Sequence, residues 1–236
     1  MYALMALSLV IDAHSHQGQT YYSMSAARLG AKVFIMSKFN VSQYLLYLDI
    51  YRITFMTGVP VILTMLCKQD RPHRFNLKAV EVVTSGSAPL DPALAHMVEE
   101  KYLRPDVKVK QGWGMTETTC SVSGFSPDDD GDGRSIGWLN PNCSAKIVPV
   151  EDRDFQLAST EYPVGELWVA GPNIMKGYWQ KPQETAETIV HADGHRWLRT
   201  GDIGYIDPQG CIYIVDRLKV GCPISLSRVV LTLSRN

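Results

Sequence analysis

Long apolar runs, a dominant charge sign and metal-type cysteine pairs are all missing from this 236-residue sequence. No run approaches the roughly 18 apolar residues that a membrane-spanning helix requires, so we expect no transmembrane segment. Lys and Arg number 23 against 24 Asp and Glu, which excludes a polybasic nucleic-acid arm and predicts no nucleic-acid partner. With 45% hydrophobic and 20% charged residues, the composition is that of a folded globular protein and excludes a disordered chain.

The cysteines give no sign of a disulfide framework or a zinc ribbon, because the five of them are widely spaced and form no C-x-x-C pair. We therefore expect reduced thiols, as in an intracellular protein. The apolar stretch Met1–Ile11 imitates a secretory signal, but the first positive residue is Arg28, so the basic region of a signal is missing. The sequence predicts a cytoplasmic or peroxisomal protein that is not secreted.

Patterns that could bind a metal ion are weak. The acidic run that starts at Asp128 has the spacing of half a calcium loop, but its twelfth position is Leu139, where a bidentate Glu is required. His191 and His195 are four residues apart, but Ala192-Asp193-Gly194 between them favours a turn over a helix. Neither pattern predicts a metal site.

Helix-like and strand-like segments alternate in the first half of the chain, which is typical of α/β proteins. The predicted elements are helices at 22–29, 41–50 and 61–68 and strands at 32–36, 79–84 and 107–109. Asp91 is a good N-cap residue and Pro92 suits a first turn, so another helix is expected there. Glycine-containing loops follow the strands at 79–84 and 107–109. Since ligands bind at the carboxyl ends of strands in such sheets, these loops are candidate site residues.

The pattern changes after Gly124, where helical periodicity disappears. Short β-type runs follow at Ala145–Val148, Glu166–Ala170 and Cys211–Val215, separated by Gly, Pro and Asn. This half of the sequence therefore predicts a compact β-rich subdomain or barrel.

The segment Gln111–Glu117 carries residue types that suit a phosphate site. Its two glycines allow a ligand to approach the backbone closely. Thr116 offers a hydroxyl for a phosphate and Glu117 an adjacent carboxylate for Mg²⁺. Trp113 offers a flat apolar face for a base. A tight turn with a core tryptophan explains the same residues nearly as well.

A carboxylate that could accept hydrogen bonds from ribose hydroxyls lies at Asp202, within Thr200-Gly201-Asp202. Arg217 and Lys219 add two cations further along. Each segment alone is also explained as a surface turn or an ion pair. The P-loop pattern and a G-x-G-x-x-G helix start are absent, so a nucleotide site must be built in another way.

Taken together, five segments resemble the motifs of the AMP-forming acyl-CoA synthetases (adenylate-forming enzymes), especially the 4-coumarate–CoA ligase-like branch. Any one segment is a weak signal, but five in the family order are a strong one. The resemblance covers about Gly30 to Lys219. The segments are Thr84–Leu90, Gln111–Glu117, Gly165–Trp179, Trp197–Tyr205 and Ile214–Lys219.

The resemblance implies a fold and a reaction. Residues 1–236 would be a partial AMP-binding domain, with an α/β part at 1–124, a β-rich part at 125–219 and an atypical tail at 220–236. The α/β part would hold a mixed sheet with flanking helices, and a small β-barrel-like subdomain would follow. A carboxylic acid would attack the α-phosphate of ATP to give an acyl-adenylate and pyrophosphate, and coenzyme A would then displace AMP.

The resemblance also implies roles for individual residues. Thr116 would contact the α-phosphate and Glu117 would hold Mg²⁺, the two catalytic roles. Asp202 would bind the ribose hydroxyls with help from Arg217, and Lys219 falls at the hinge before a mobile C-terminal domain. Lys38 matches a position that contacts coenzyme A. The adenylate and acyl contacts fall on Ser85, Gly86, Ser87, Ala88, Pro89, Gln111, Gly112 and Trp113, the last in place of the usual Tyr.

Departures from the family pattern leave alternatives open. The Ser/Thr/Gly-rich phosphate loop ending in Lys-Gly belongs upstream of Thr84, and the domain with the catalytic lysine belongs after Lys219. We therefore expect a ligase fragment that is inactive alone. The alternatives are a non-catalytic protein that binds AMP or an acyl-adenylate and a gene-model fragment without function. Because valine codons begin with GT, one interpretation of residues 220–236 is a retained intron.

Overall fold

Two sheets of opposite character, one parallel and one antiparallel, organise this computed structural model. It describes residues 3–5, 25–36, 38–70, 74–126, 129, 131–150, 161–217 and 231–235. The chain divides into two compact units. Unit 1 comprises Met1–Trp113 with Phe125–Arg134, and unit 2 comprises Gly114–Gly124 with Ser135–Asn236.

Unit 1 is built on a five-stranded sheet with the strand order β2-β1-β3-β4-β5, in which every pairing is parallel. Parallel pairing places the carboxyl ends of neighbouring strands at the same edge of the sheet, where α/β proteins bind ligands. The strands are β1 (Ala3–Met5), β2 (Lys32–Val33), β3 (Phe55–Gly58), β4 (Val82–Ser85) and β5 (Val109–Gln111).

Three helices of unit 1 begin where the sequence predicts them: α1 (Val41–Ile50), α2 (Pro60–Cys67) and α3 (Pro92–Tyr102). The Asp91 carboxylate accepts a hydrogen bond from the Ala93 amide at 2.9 Å, so the predicted N-cap is confirmed. Residues 25–29 are also helical. Within the described part of the chain, no helix is both long and apolar enough to cross a membrane.

The core of unit 1 packs these helices against the sheet. Lys101 on α3 donates to the carbonyls of Cys67 at 2.5 Å and Gln69 at 2.6 Å, and Tyr102 donates to the Leu66 carbonyl at 2.9 Å. Carbonyls at a helix C-terminus have no partner within their own helix, so α3 satisfies the end of α2. The buried side chains include Tyr44, Leu45, Leu48, Ile53, Met56, Ile62, Leu63, Leu66, Val83 and Val98.

Unit 2 contains a six-stranded antiparallel sheet with the order β10-β11-β9-β8-β13, in which β12 also pairs with β11. The sheet curls into a half-barrel, which confirms the expected α/β class with a barrel-like β-rich part. The strands are β8 (Cys143–Val148), β9 (Gly165–Ala170), β10 (Ile189–Ala192), β11 (His195–Ile206), β12 (Ile212–Arg217) and β13 (Leu231–Arg235). A small ladder pairs β6 (Ser123–Gly124) with β7 (Trp138–Leu139).

This half of the chain also contains one helix that the sequence analysis did not identify, α4 (Pro182–Thr188), which precedes β10. Periodicity in apolar residues is the main sequence signal for a helix, and α4 buries none of its residues. The predicted turn before His195 is confirmed, since Asp193 and Gly194 join β10 to β11 with positive φ of 53° and 73°.

The core of unit 2 includes a buried lysine between two tryptophans. The Lys146 ammonium lies 4.4 Å from the ring centre of Trp197 and 5.3 Å from that of Trp168. It also pairs with the Asp193 carboxylate at 2.8 Å, and this hydrogen bond holds the pKa of Asp193 below its usual value. A buried charge needs such partners, so the β10–β11 turn and the sheet are tied together by one ammonium group.

The packing of α2 predicts that Leu63→Ala destabilises unit 1 and that Val61→Ala does not. Leu63 is 0% exposed and Val61 is 51% exposed on the same helix. Loss of the buried leucine should lower the free energy of unfolding by about 2–5 kcal/mol. The exposed substitution should change it by less than about 0.5 kcal/mol.

Exchange of the backbone amides of residues 61–67 measures the effect on unit 1. Equal effects of the two substitutions would contradict the packing described here.

Candidate functional site

The loop after β4 starts at the carboxyl edge of the parallel sheet. Ser85 ends β4 and accepts a hydrogen bond from the Gly112 amide at 2.9 Å, which joins the loop to the end of β5. Ser87 has a positive φ of 69°. The hydroxyls of Thr84 and Ser85 are buried and have no hydrogen-bond partner among the described residues. This edge therefore holds two buried hydroxyl groups, one on the predicted contact Ser85 and one on the residue before it.

Gln111, at the end of β5, holds the same region with its side chain. Its Oε1 accepts from the Leu90 amide at 3.0 Å. Its Nε2 donates to the carbonyls of Gly133 at 3.2 Å and Arg134 at 3.3 Å. The side chain is buried, and its amide satisfies three backbone groups of unit 1. Gln111 thus fixes the end of the Ser85–Pro89 loop, a role that its sequence position alone does not predict.

In unit 2, the turn that carries Thr116 and Glu117 is unusually tight. Residues Thr116–Thr118 form one turn of 3-10 helix, and the Met115 carbonyl accepts from the amides of Thr118 at 3.1 Å and Cys120 at 3.2 Å. A Cβ placed on Gly114 would lie 1.4 Å from the Cys120 carbonyl oxygen. Only glycine fits there, so the turn closes on backbone contacts and leaves Thr116 exposed.

Glu117 is held by the loop that follows β9. Its carbonyl accepts from the Met175 amide at 2.7 Å, and its Oε1 accepts from the Tyr178 hydroxyl at 2.7 Å. Partial burial raises the pKa of the Tyr178 hydroxyl, and the hydrogen bond to Glu117 raises it further. The carboxylate of Glu117 is therefore oriented by a hydroxyl from a residue 61 positions away.

Asn173 connects the same loop to the turn. Its Nδ2 donates to the carbonyls of Thr118 at 2.9 Å and Ser121 at 3.2 Å, and its own carbonyl accepts from the Thr119 hydroxyl at 2.8 Å. These three bonds fix the C-terminal end of the 3-10 turn and the residues that follow it. Asn173 belongs to the scaffold of the candidate site.

The carboxylate at this site fits a Mg²⁺ ion that is also bound by a phosphate ligand better than a metal site built from protein side chains alone. In the described part of the chain, no group of three or more His, Cys, Asp or Glu side chains is placed to hold a metal ion. Mg²⁺ at phosphate sites is usually held by one or two carboxylates, with waters and phosphate oxygens as its other ligands. The single oriented carboxylate of Glu117 matches that chemistry.

Asp202 lies at a distortion of β11. Its neighbour Gly201 has a positive φ of 71°, and the register with β9 shifts between Arg199 and Ile203. The Asp202 carboxylate is largely buried and pairs with the Arg217 guanidinium at 3.2 Å, across the β11–β12 ladder. The Asp202 carboxylate is therefore a hydrogen-bond acceptor held in place, with the Arg217 guanidinium beside it.

The structure brings the predicted residues together in groups. In unit 1, Ser85, Gly86, Ser87, Ala88 and Pro89 adjoin Gln111 and Gly112, where β4 and β5 end side by side. Trp113 is half-buried and Lys38 is exposed. In unit 2, Thr116 is beside Glu117, and Asp202 is paired with Arg217. Lys219 lies outside the described residues.

Sequence reasoning missed three supporting residues: Glu166, Asn173 and Tyr178. All three lie in the segment Gly165–Trp179, which carries part of the family resemblance. Their positions were therefore visible in the sequence, but nothing local indicates that they contact residues from 35 to 61 positions away.

The sequence profile of the family described as AMP-binding enzyme matches residues 8–179. The chain belongs to this family. Two curated relatives of the chain carry CoA ligase names. A probable CoA ligase of Humulus lupulus is 38% identical over 86% of this chain and 36% of its own length. A 4-coumarate–CoA ligase-like protein of Oryza sativa is 39% identical over 80% of this chain and 33% of its own length.

The 236-residue chain thus spans about a third of the length of the curated relatives that it matches. Two solved structures of adenylate-forming enzymes share its fold. ATP-bound MatB from Rhodopseudomonas palustris has a TM-score of 0.76 and 25% identity over 92% of this chain and 40% of that one. A long-chain-fatty-acid–CoA ligase from Archaeoglobus fulgidus has a TM-score of 0.70 and 25% identity over 86% and 42%.

The backbone contact at Gly114 predicts that Gly114→Ala disrupts the turn that carries Thr116 and Glu117. Its Cβ would lie 1.4 Å from a backbone oxygen, whereas a Cβ on Gly124 meets nothing within 4 Å. We expect amide exchange at Thr118 and Cys120 to accelerate at least tenfold in Gly114→Ala. Gly124→Ala is the matched control and should leave both amides unchanged. Unchanged exchange in Gly114→Ala would contradict this account of the turn.

Proposed function

We propose that this chain supplies nucleotide-binding parts of an AMP-forming acyl- or aryl-CoA ligase. In the first step a substrate carboxylate attacks the α-phosphorus of ATP, forming an acyl-adenylate and releasing pyrophosphate. In the second step the thiolate of coenzyme A attacks the acyl carbon and AMP leaves. Membership of the AMP-binding enzyme family and the CoA ligase relatives support this reaction class.

The observation that carries the proposal is the placement of Asp202. Its carboxylate is largely buried and is paired with Arg217, and the preceding residue, Gly201, has a left-handed backbone conformation. A carboxylate held in this way can accept hydrogen bonds from both hydroxyls of a ribose, and hydrogen bonds to a charged group are the stronger kind. We assign Asp202 to the ribose and Arg217 to its support.

Thr116 and Glu117 would act at the phosphates. The exposed Thr116 hydroxyl donates to an α-phosphate oxygen, and Glu117 provides the carboxylate ligand for Mg²⁺. When bound, Mg²⁺ supplies neutralisation of the phosphate charge. The Tyr178 hydroxyl keeps the Glu117 carboxylate oriented before any ligand arrives, which limits the reorganisation needed on binding.

The base and the acyl group would contact unit 1. We assign the adenine and acyl contacts to the Ser85–Pro89 loop with Gln111 and Gly112, and base stacking to Trp113. Lys38, an exposed cation, is the proposed contact for coenzyme A. Lys219 is the proposed hinge residue. The acid itself is proposed only as a carboxylic acid of the acyl or aryl class.

AMP binding tests the role of Asp202. Hydrogen bonds to a charged acceptor contribute about 1.5–3 kcal/mol, and about 1.4 kcal/mol corresponds to tenfold in affinity. Asp202→Asn should therefore raise the AMP dissociation constant, measured by calorimetry, about tenfold or more. Asp216→Asn removes the same charge from the neighbouring strand and is the matched control.

Unchanged affinity in Asp202→Asn, or an equal loss in Asp216→Asn, would refute the assignment. Absence of AMP binding by the unaltered chain would refute the proposed function.

Exchange of labelled pyrophosphate into ATP tests turnover. By the resemblance, the phosphate loop and the catalytic lysine lie outside residues 30–219. We therefore expect the 236-residue polypeptide to bind AMP but to show no exchange above background with a panel of carboxylic acids. Robust exchange would show instead that these residues suffice for adenylation.

A further inference from the structure

The distortion at Asp202 is a large β-bulge. Arg199 pairs with Trp168 and Ile203 pairs with Glu166, so residues 200–202 of β11 lie opposite Leu167 alone. Two of the three residues have no counterpart on β9. Buried backbone amides in such a bulge lose their ladder partners and need others.

Side chains replace the missing ladder bonds. The Thr200 hydroxyl donates to the Leu167 carbonyl at 2.7 Å and accepts from the Asp202 amide at 3.0 Å. The Gly201 amide donates to Oε1 of Glu166 at 2.9 Å. The amide before Asp202 and the amide of Asp202 itself are therefore both held by side chains.

Glu166 is itself fixed in position. Its side chain is 2% exposed, its Oε2 accepts from the Trp168 indole at 2.6 Å, and the Arg199 Nε lies 3.7 Å from the same oxygen. Burial raises the pKa of Glu166, and the bonds from Trp168, Gly201 and Arg199 oppose that shift. Each carboxylate oxygen thus has its own partner, one on the bulge and one on β9.

We propose that Glu166 is a positioning residue for the nucleotide site, whose buried carboxylate sets the conformation of the Thr200–Asp202 bulge and thereby aims Asp202 at the ribose. The inference rests on the proposed ribose-binding role of Asp202. Glu166 touches no ligand and acts through the Gly201 amide. A carboxylate is needed because two donors approach it from different sides and it has two acceptor oxygens.

The matched variants are Glu166→Gln and Glu184→Gln. Gln keeps the length of the side chain but offers one acceptor oxygen, so at position 166 it cannot serve both the Gly201 amide and the Trp168 indole. Glu184→Gln is the control, because it removes an exposed carboxylate of the same unit that pairs with Lys181 at 2.7 Å.

AMP affinity by calorimetry and exchange of the Gly201 amide by NMR are the two measurements. In Glu166→Gln we expect at least a fivefold loss of AMP affinity and at least tenfold faster exchange. In Glu184→Gln we expect AMP affinity within about twofold of the unaltered chain. In the Asp202→Asn background, Glu166→Gln should cause no further loss, because it acts through Asp202.

Unaltered affinity in Glu166→Gln, a full further loss in the Asp202→Asn background, or an equal loss in Glu184→Gln would each overturn the proposal. If the unaltered chain binds no AMP, the proposed function fails, and so does the claim that Glu166 orients Asp202 toward the ribose. Gly201 exchange then decides separately whether Glu166 holds the bulge, and unchanged exchange would show that it does not.

Discussion

Every buried backbone N–H or C=O group must find a hydrogen-bond partner, and the candidate site depends on that constraint. Regular strands and helices satisfy it internally, but the 3-10 turn that carries Thr116, the β11 bulge that carries Asp202 and the loop after β4 interrupt those regular patterns. Side chains then provide the partners: Asn173 for the Thr118 carbonyl, Glu166 for the Gly201 amide and Gln111 for the Leu90 amide. These partners limit the conformations open to each loop.

This division of labour separates residues that could touch a ligand from residues that hold them. In the proposed site, Thr116, Glu117 and Asp202 are the residues that would contact the nucleotide. Tyr178, in the loop after β9, donates to the Glu117 carboxylate, and Glu166 on β9 accepts from the amide next to Asp202. Since preorganised groups lose less freedom on binding, such supporting residues would add to affinity without touching the ligand.

Local sequence signals predicted the elements whose formation depends on interactions between neighbouring residues. Asp91 and Pro92 marked the start of α3 because capping involves residues within one turn. Helix α4 was missed because it has no buried face to produce periodicity. The resemblance predicted the family, which the profile match confirms, and the α/β class, which the structure confirms. The individual site roles stay predictions.

The features that the sequence could not predict depend on how distant segments pair, as β11 does with β9. Thr200-Gly201-Asp202 was compatible with a surface turn, but it lies inside a 12-residue strand. Its distortion follows from pairing with β9, more than 30 positions earlier in the chain. The contact between Tyr178 and Glu117 is equally remote in sequence. Such long-range pairings leave no local pattern.

The arrangement around β11 has a consequence for how the protein can vary. Residues 195–198 pair with β10, and residues 202–206 pair with β12 along the same edge. On that edge, among the described residues, Arg199, Thr200 and Gly201 have no strand neighbour. Asp202 therefore lies at the junction between the β10–β11 hairpin and the β11–β12 hairpin, and the turn of each hairpin is at the end away from Asp202. Insertions or exchanges in either turn would alter that hairpin while leaving the junction in place.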